Sequence, residues 1–180
     1  MQRPPRAPSE GTVWGRLRGL DREFVAVARV FGFELLREAG AYVSYQGDSV
    51  IRVAPYEDLD PDDTLAQMVV HELCHYFVEG PQSREQWDWG LCNDGEEDEP
   101  AELAAIRVQA ALLEDFGLRA ALGPTTDFRF EYDLLASPLE DSDEQEVVAR
   151  ARMGLARLRA HDGFSALSEV LRRAQELSES

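Results

Sequence analysis

The stretch DLDPDDTLAQMVVHELCHYFVEG, residues 58 to 80, constrains the fold more than any other part of the chain. It is punctuated as a helix at both ends. Asp60 is a candidate cap, Pro61 suits a first helical position, and Asp62 and Asp63 complement the positive end. Gly80 followed by Pro81 supplies the stop. A helix of nearly five turns is expected between them, with Val69, Val70, Leu73, Phe77 and Val78 as its apolar face. His71 and His75, two of the chain's three histidines, fall at its centre. Taking two imidazoles into a core without a use costs polar desolvation for nothing gained.

Positions four apart on an α-helix differ by about 40° around the axis and about 6 Å along it. Two imidazoles so placed can converge on one ion, each giving a nitrogen at roughly 2.0 to 2.1 Å. Glu72, directly after the first histidine, points about 100° away from it. It is therefore placed to act on a water held by the ion rather than to ligate, as a general base does in His-Glu-x-x-His hydrolases. A chance match to this pattern in a chain with so few histidines is on the order of one in a few hundred.

Two histidines leave a site incomplete, and EPAELAAIRVQAALLED, residues 99 to 115, offers a third ligand in Glu102 or Glu99. Glu102 is favoured, because it shares one face of the expected second helix (about Pro100 to Phe116) with Ala105, Ile106, Gln109 and Leu113. Asp88, between Trp87 and Trp89, is placed to orient a ligand histidine or to line a pocket. The two tryptophans suit core or pocket equally well. Cys74 reads as a small buried residue, and Cys92 as loop packing or a neighbour of the site. His161 reads as a helix C-terminal residue with no partner nearby.

Elsewhere the pattern is of short elements in one domain. Residues 1–11 read as a mobile tail and residues 12–180 as a single metal-binding catalytic domain. Trp14, Leu17, Phe24, Val27, Phe31 and Leu35 recur at helical intervals, with a break near Gly19 or Asp21. YVSYQGDSVIRVAPY reads as a β-hairpin with Gly47 in the turn. An Asp94-Gly95 turn, a helix from Ser142 with Gln145 completing a capping box, and another after Asp162 are expected. The fold class implied is α+β, mostly helical, with a small antiparallel hairpin beside the metal helix, as in zincin-like folds.

Composition limits partners. The 18 basic residues are all arginine, against 35 acidic ones, and the formal charge is −17. Such a surface repels phosphate backbones, so nucleic acid is excluded as a direct partner. Any protein partner is expected to present a neutral or basic patch. No apolar run approaches the roughly 18 residues of a membrane span, MQRPPRAPSEG lacks the apolar core of a secretory signal, and two cysteines make no disulfide framework. A cytoplasmic location is expected.

The window from residue 68 to 113 resembles the elongation factor P hydroxylase family. The residues that carry the likeness are His71, Glu72, His75, Gly80, Arg84, Asp88, Trp89, Gly90, Asp94 and Gly95, followed by Glu102, Gln109 and Ala110. The interval from Gly95 to Glu102 is shorter than in that family, which keeps Glu99 as the alternative ligand. The resemblance implies an oxygenase that hydroxylates a modified lysine side chain on a protein substrate such as elongation factor P, with iron on His71, His75 and Glu102. It also places Arg84, Asp88 and Trp89 around that centre. The same three ligands fit both the facial triad of non-haem iron oxygenases and, with zinc and Glu72 as base, a gluzincin peptidase acting on a peptide. Ligand spacing alone leaves both open.

Overall fold

The computed structural model describes residues 11–91, 98–124, 128–140 and 145–180. The tail to residue 10, Cys92, the Asp94-Gly95 turn and the Ser142 cap lie outside these. The chain begins with α1 (Val13–Arg18) and α2 (Asp21–Val30), separated at Gly19 and Leu20. Three strands follow: β1 (Glu34–Arg37), β2 (Val43–Tyr45) and β3 (Val50–Val53). Then come α3 (Leu65–Glu79), two 3-10 turns (Pro81–Glu85 and Asp88–Gly90), α4 (Glu99–Glu114), α5 (Arg129–Leu134), α6 (Gln145–Ala160) and α7 (Phe164–Ser178).

The fold is α+β, and the expected hairpin is present. β2 pairs antiparallel with β3, Tyr45 opposite Ile51, and Gly47 takes a positive φ of 75° in the turn. The sheet is larger than expected, because β1 pairs parallel with the other side of β3, Glu34 opposite Val50. Leu35 thus belongs to a strand and not to the preceding helix. The cause is Gly32, whose φ of 84° ends α2 while the Phe33 N–H bonds back to the Ala28 carbonyl.

α3 starts later than its acidic prelude suggests and has 15 residues, about four turns. The cap is Thr64, not Asp60. Thr64 Oγ1 accepts from the Gln67 N–H at 3.2 Å, and Gln67 Oε1 accepts from the Thr64 N–H at 2.6 Å. This reciprocal pair satisfies two orphan donors at once, which one aspartate cannot do. Asp60 to Asp63 instead form a turn in which the Asp63 carboxylate accepts from the Asp60 N–H. Arg18 ties that turn to α1 through the carbonyls of Asp60 and Asp63.

α3 is the hub. Apart from His71 and Glu79 its residues are buried, and it packs against α1, α2, α4, α6 and β3. One apolar cluster runs from Leu17 in α1 through α3 and α4 to Ala174 in α7. No described helix is long and apolar enough to cross a membrane.

Candidate metal centre

His71 and His75 project from the middle of α3 toward the first turns of α4, where Glu102 faces them. The His71 and His75 Nε2 atoms lie 3.0 Å apart. Glu102 Oε1 is 3.3 Å from His75 Nε2, and its Oε2 is 3.8 Å from His71 Nε2. One ligand atom from each residue thus falls within 4.8 Å of the other two. Donors about 2.1 Å from a common ion at tetrahedral or octahedral angles are separated by about 3.0 to 3.4 Å; the 3.0 and 3.3 Å pairs fall in that range and the 3.8 Å pair lies just outside it, so the trio could hold one ion. Two histidines and a carboxylate suit iron as well as zinc. Glu99 is exposed and stands outside the group.

The tautomer of His71 is set from α4. Its Nδ1 lies 3.0 Å from Gln109 Oε1, and Gln109 Nε2 donates to the Leu122 carbonyl at 2.8 Å. That second bond fixes the amide so that its oxygen meets the imidazole; Nδ1 carries the proton, and the Nε2 lone pair is free to ligate. Gln109 is fully buried. The sequence placed it on the Glu102 face but did not reveal this role. His75 Nδ1 is buried and has no hydrogen-bond partner among the described residues, so Asp88 does not orient that ring by a hydrogen bond.

Glu72 leaves the helix in another direction, as expected, and is buried. Its Oε2 accepts a hydrogen bond from Trp89 Nε1 at 2.8 Å. Trp89 is held in turn by a parallel stack on Tyr45, ring centroids 3.7 Å apart, and by the edge of Phe33. To reach Glu72 the backbone adopts positive φ at two successive non-glycine residues, Asp88 (46°) and Trp89 (56°). Each such residue costs of order 1 kcal/mol or more, and the surrounding contacts must over-determine it. The tryptophans have separate fates, since Trp89 is core while Trp87 is 57% exposed.

Charge is distributed unevenly across the centre. Burial holds His71 down at about 4, helped by its neighbour His75. Burial also opposes a charge on His75, but Glu102, Glu72 and Asp88 outweigh it and carry that imidazole to about 9. Glu102 is drawn down to about 2, because the two histidines overcome its own burial. Burial lifts Glu72 to about 7; Asp88 and Glu102 add to the rise, and His75 and the Trp89 bond restrain it. Without metal, the centre therefore carries a proton on His75 Nε2 aimed at His71 and Glu102.

Two other expected residues do different work. Arg84 donates to the Gly32 and Phe31 carbonyls and to Ser49 Oγ, and its guanidinium lies 4.5 Å over the Phe33 ring. It clamps the first 3-10 turn to the end of α2 and, among its described contacts, touches no ligand residue. Cys74 is buried, as expected, with its thiol pushed up by burial. Comparison of the chain with protein-family models, with curated proteins and with solved structures finds no match.

Proposed function

We propose that the chain is a metal-dependent enzyme in which His71, His75 and Glu102 hold one divalent ion, Glu72 handles the proton beside it, and the reaction is oxygen-dependent hydroxylation of a modified lysine side chain on a protein substrate. Convergence of the three ligand atoms, with His71 pre-set by Gln109, carries the metal-dependent part. The resemblance of residues 68 to 113 to the elongation factor P hydroxylases supplies the reaction. The helix–hairpin arrangement is compatible with a zincin-like fold by analogy. An ion bound there would supply activation of dioxygen if it is iron, or of water if it is zinc.

The chain's own residues do the rest. With its pKa near 7, Glu72 exchanges a proton readily at neutral pH. The Trp89 N–H holds Oε2, which leaves Oε1 to take up and return that proton. His71, one-fifth exposed, marks the side from which a substrate reaches the centre. Asp88, partly exposed on the strained turn, adds negative charge near Glu72 and His75.

The pKa of Glu72 also favours a second reading, a zinc metallopeptidase in which this carboxylate deprotonates the attacking water. Anaerobic purification followed by metal analysis and oxygen-uptake assays separates the two. The hydroxylase reading expects bound iron and iron-dependent oxygen consumption in the presence of a lysine-modified elongation factor P. One equivalent of zinc with peptide cleavage and no oxygen uptake would replace it with the peptidase. In either case Glu72→Gln should keep its metal and lose turnover by about 10²-fold or more. A variant that also loses metal would make Glu72 a ligand.

A further inference from the structure

The structure carries a concave site apart from the metal centre, on the side of α3 where its last turn meets the end of α6. A cavity of about 340 Å³ opens there. Its walls are the rings of Tyr76, Phe77 and His161 together with Pro81, and Gly80, Ala160 and Arg157 complete the lining. It shares no residue with the metal centre. A volume near 300 Å³ is the small end of the range for sites that enclose an organic ligand.

Two side chains that border this apolar space, Arg157 and His161, offer donors. Arg157 Nη1 donates to the Phe77 and Val78 carbonyls, 3.1 Å each, which fixes its guanidinium at the C-terminal end of α3. Its Nε and Nη2 have no acceptor among the described residues. The contrast with its own helix is informative. Arg150 pairs with Glu79 at 2.7 Å and Arg159 with Asp115 at 2.6 Å, while Arg157 between them has no described carboxylate partner.

His161 adds a second donor. Its Nδ1 accepts from the Gly163 N–H at 3.0 Å, so the proton of the neutral ring sits on Nε2, which also has no described acceptor. The ring is immobilised by stacking on Phe31 at 4.7 Å and by the edge of Phe77 at 5.5 Å, which corrects the expectation that this histidine is isolated. Among the described residues no aspartate or glutamate lines the cavity, although the chain has 35 acidic residues.

We propose that this cavity binds a small organic carboxylate with a flat or short apolar body. The apolar part fills the space between Tyr76, Phe77 and Pro81, and the carboxylate takes the free donors of Arg157 and His161. A planar guanidinium matches a carboxylate in two-point geometry, and the ring walls suit an aryl or short alkyl body. The binding stands apart from the metal chemistry and does not depend on the reading of the enzyme.

Phenylacetate titrated into the isotope-labelled full chain carrying one equivalent of zinc tests this by amide NMR. Saturable shifts at Phe77, Ala160 and His161 are expected, with a Kd below about 1 mM for a ligand of this size. 2-Phenylethanol and phenethylamine should bind at least tenfold more weakly, and Arg157→Gln should weaken phenylacetate tenfold or more. Because Arg157 also holds two carbonyls of α3, a second variant is needed: Ala160→Trp, at an exposed position, should fill the cavity and abolish the shifts. Shifts confined to His71 and Glu102 would mean capture by the metal instead. Equal binding of the alcohol, or no saturable shift near α6, would likewise overturn the proposal.

Discussion

The three side chains that could hold an ion differ in how readily they give up a proton, and this sets how the centre would take up metal. His71 is neutral and Glu102 ionised at neutral pH, but His75, held at about 9, must release a proton before it can ligate. Metal affinity is therefore expected to rise about tenfold per pH unit between pH 6.5 and 9, with about one proton released per ion at pH 7. Calorimetry in two buffers of different ionisation enthalpy measures this, and a flat affinity across the window would show His75 already neutral. The sign for stability is the reverse. A histidine whose folded pKa lies above its unfolded value of 6.5 stabilises the metal-free fold fully below pH 6.5, and that contribution disappears as pH rises through about 9. The melting-temperature gap between metal-loaded and metal-free protein should accordingly widen across the same range. Gln109 is the other residue on which uptake turns. Gln109→Leu leaves the His71 Nδ1–H without its acceptor and should weaken metal binding about 10- to 100-fold without altering far-UV circular dichroism. Unchanged affinity would show that His71 is oriented by packing alone.

At the scale of elements, α3 can carry a polar centre because the rest of its surface is covered. α6 packs directly on it, and Gly154 makes that close approach possible. A Cβ there would sit 2.8 Å from Val78 Cγ2 and 3.3 Å from Val108 Cγ2, both buried. Gly154→Ala should therefore be destabilising by about 1 kcal/mol net, since overpacking of about 1–3 kcal/mol exceeds the roughly 1 kcal/mol alanine gains over glycine within a helix. Denaturant titration reads this directly, and a stabilised variant would mean that Val78 moves aside freely. The elements legible in the sequence were those with strong local signals. α3 and α4 show helical periodicity, the hairpin is marked by Gly47, and α7 follows Asp162. Expectation and structure differ where two local signals compete. Asp60-Pro61 looked like a helix start, but the Thr64–Gln67 pair won. Leu35 fell on a helical interval, although Gly32 had already ended the helix. α5 gave no signal because it is one short turn and a half, with Tyr132 buried but Phe130 and Leu134 largely exposed.

For the whole molecule, one apolar core joins the sheet to the helices, and the metal centre lies where α3, α4 and the strained Asp88-Trp89 turn meet. The sheet serves that turn, because Tyr45 of β2 is the surface on which Trp89 stacks and so fixes the donor to Glu72. The reach of each interaction explains how much of the site could be read in advance. His71 and His75 are four residues apart on one helix, so spacing alone reveals them, and the face of α4 narrows the third ligand to Glu102. The Glu72–Trp89 and Gln109–Leu122 bonds depend on how distant turns pack, and no local pattern encodes that. The most direct measurement is the metal stoichiometry and affinity of the full chain and of its Glu102→Ala variant, with one divalent cation titrated into metal-free protein. One equivalent bound by the parent, and at least a 100-fold loss in a variant that remains folded, is the expected result. Parent-like binding by Glu102→Ala, or no stoichiometric binding by the parent, would contradict a centre built from His71, His75 and Glu102.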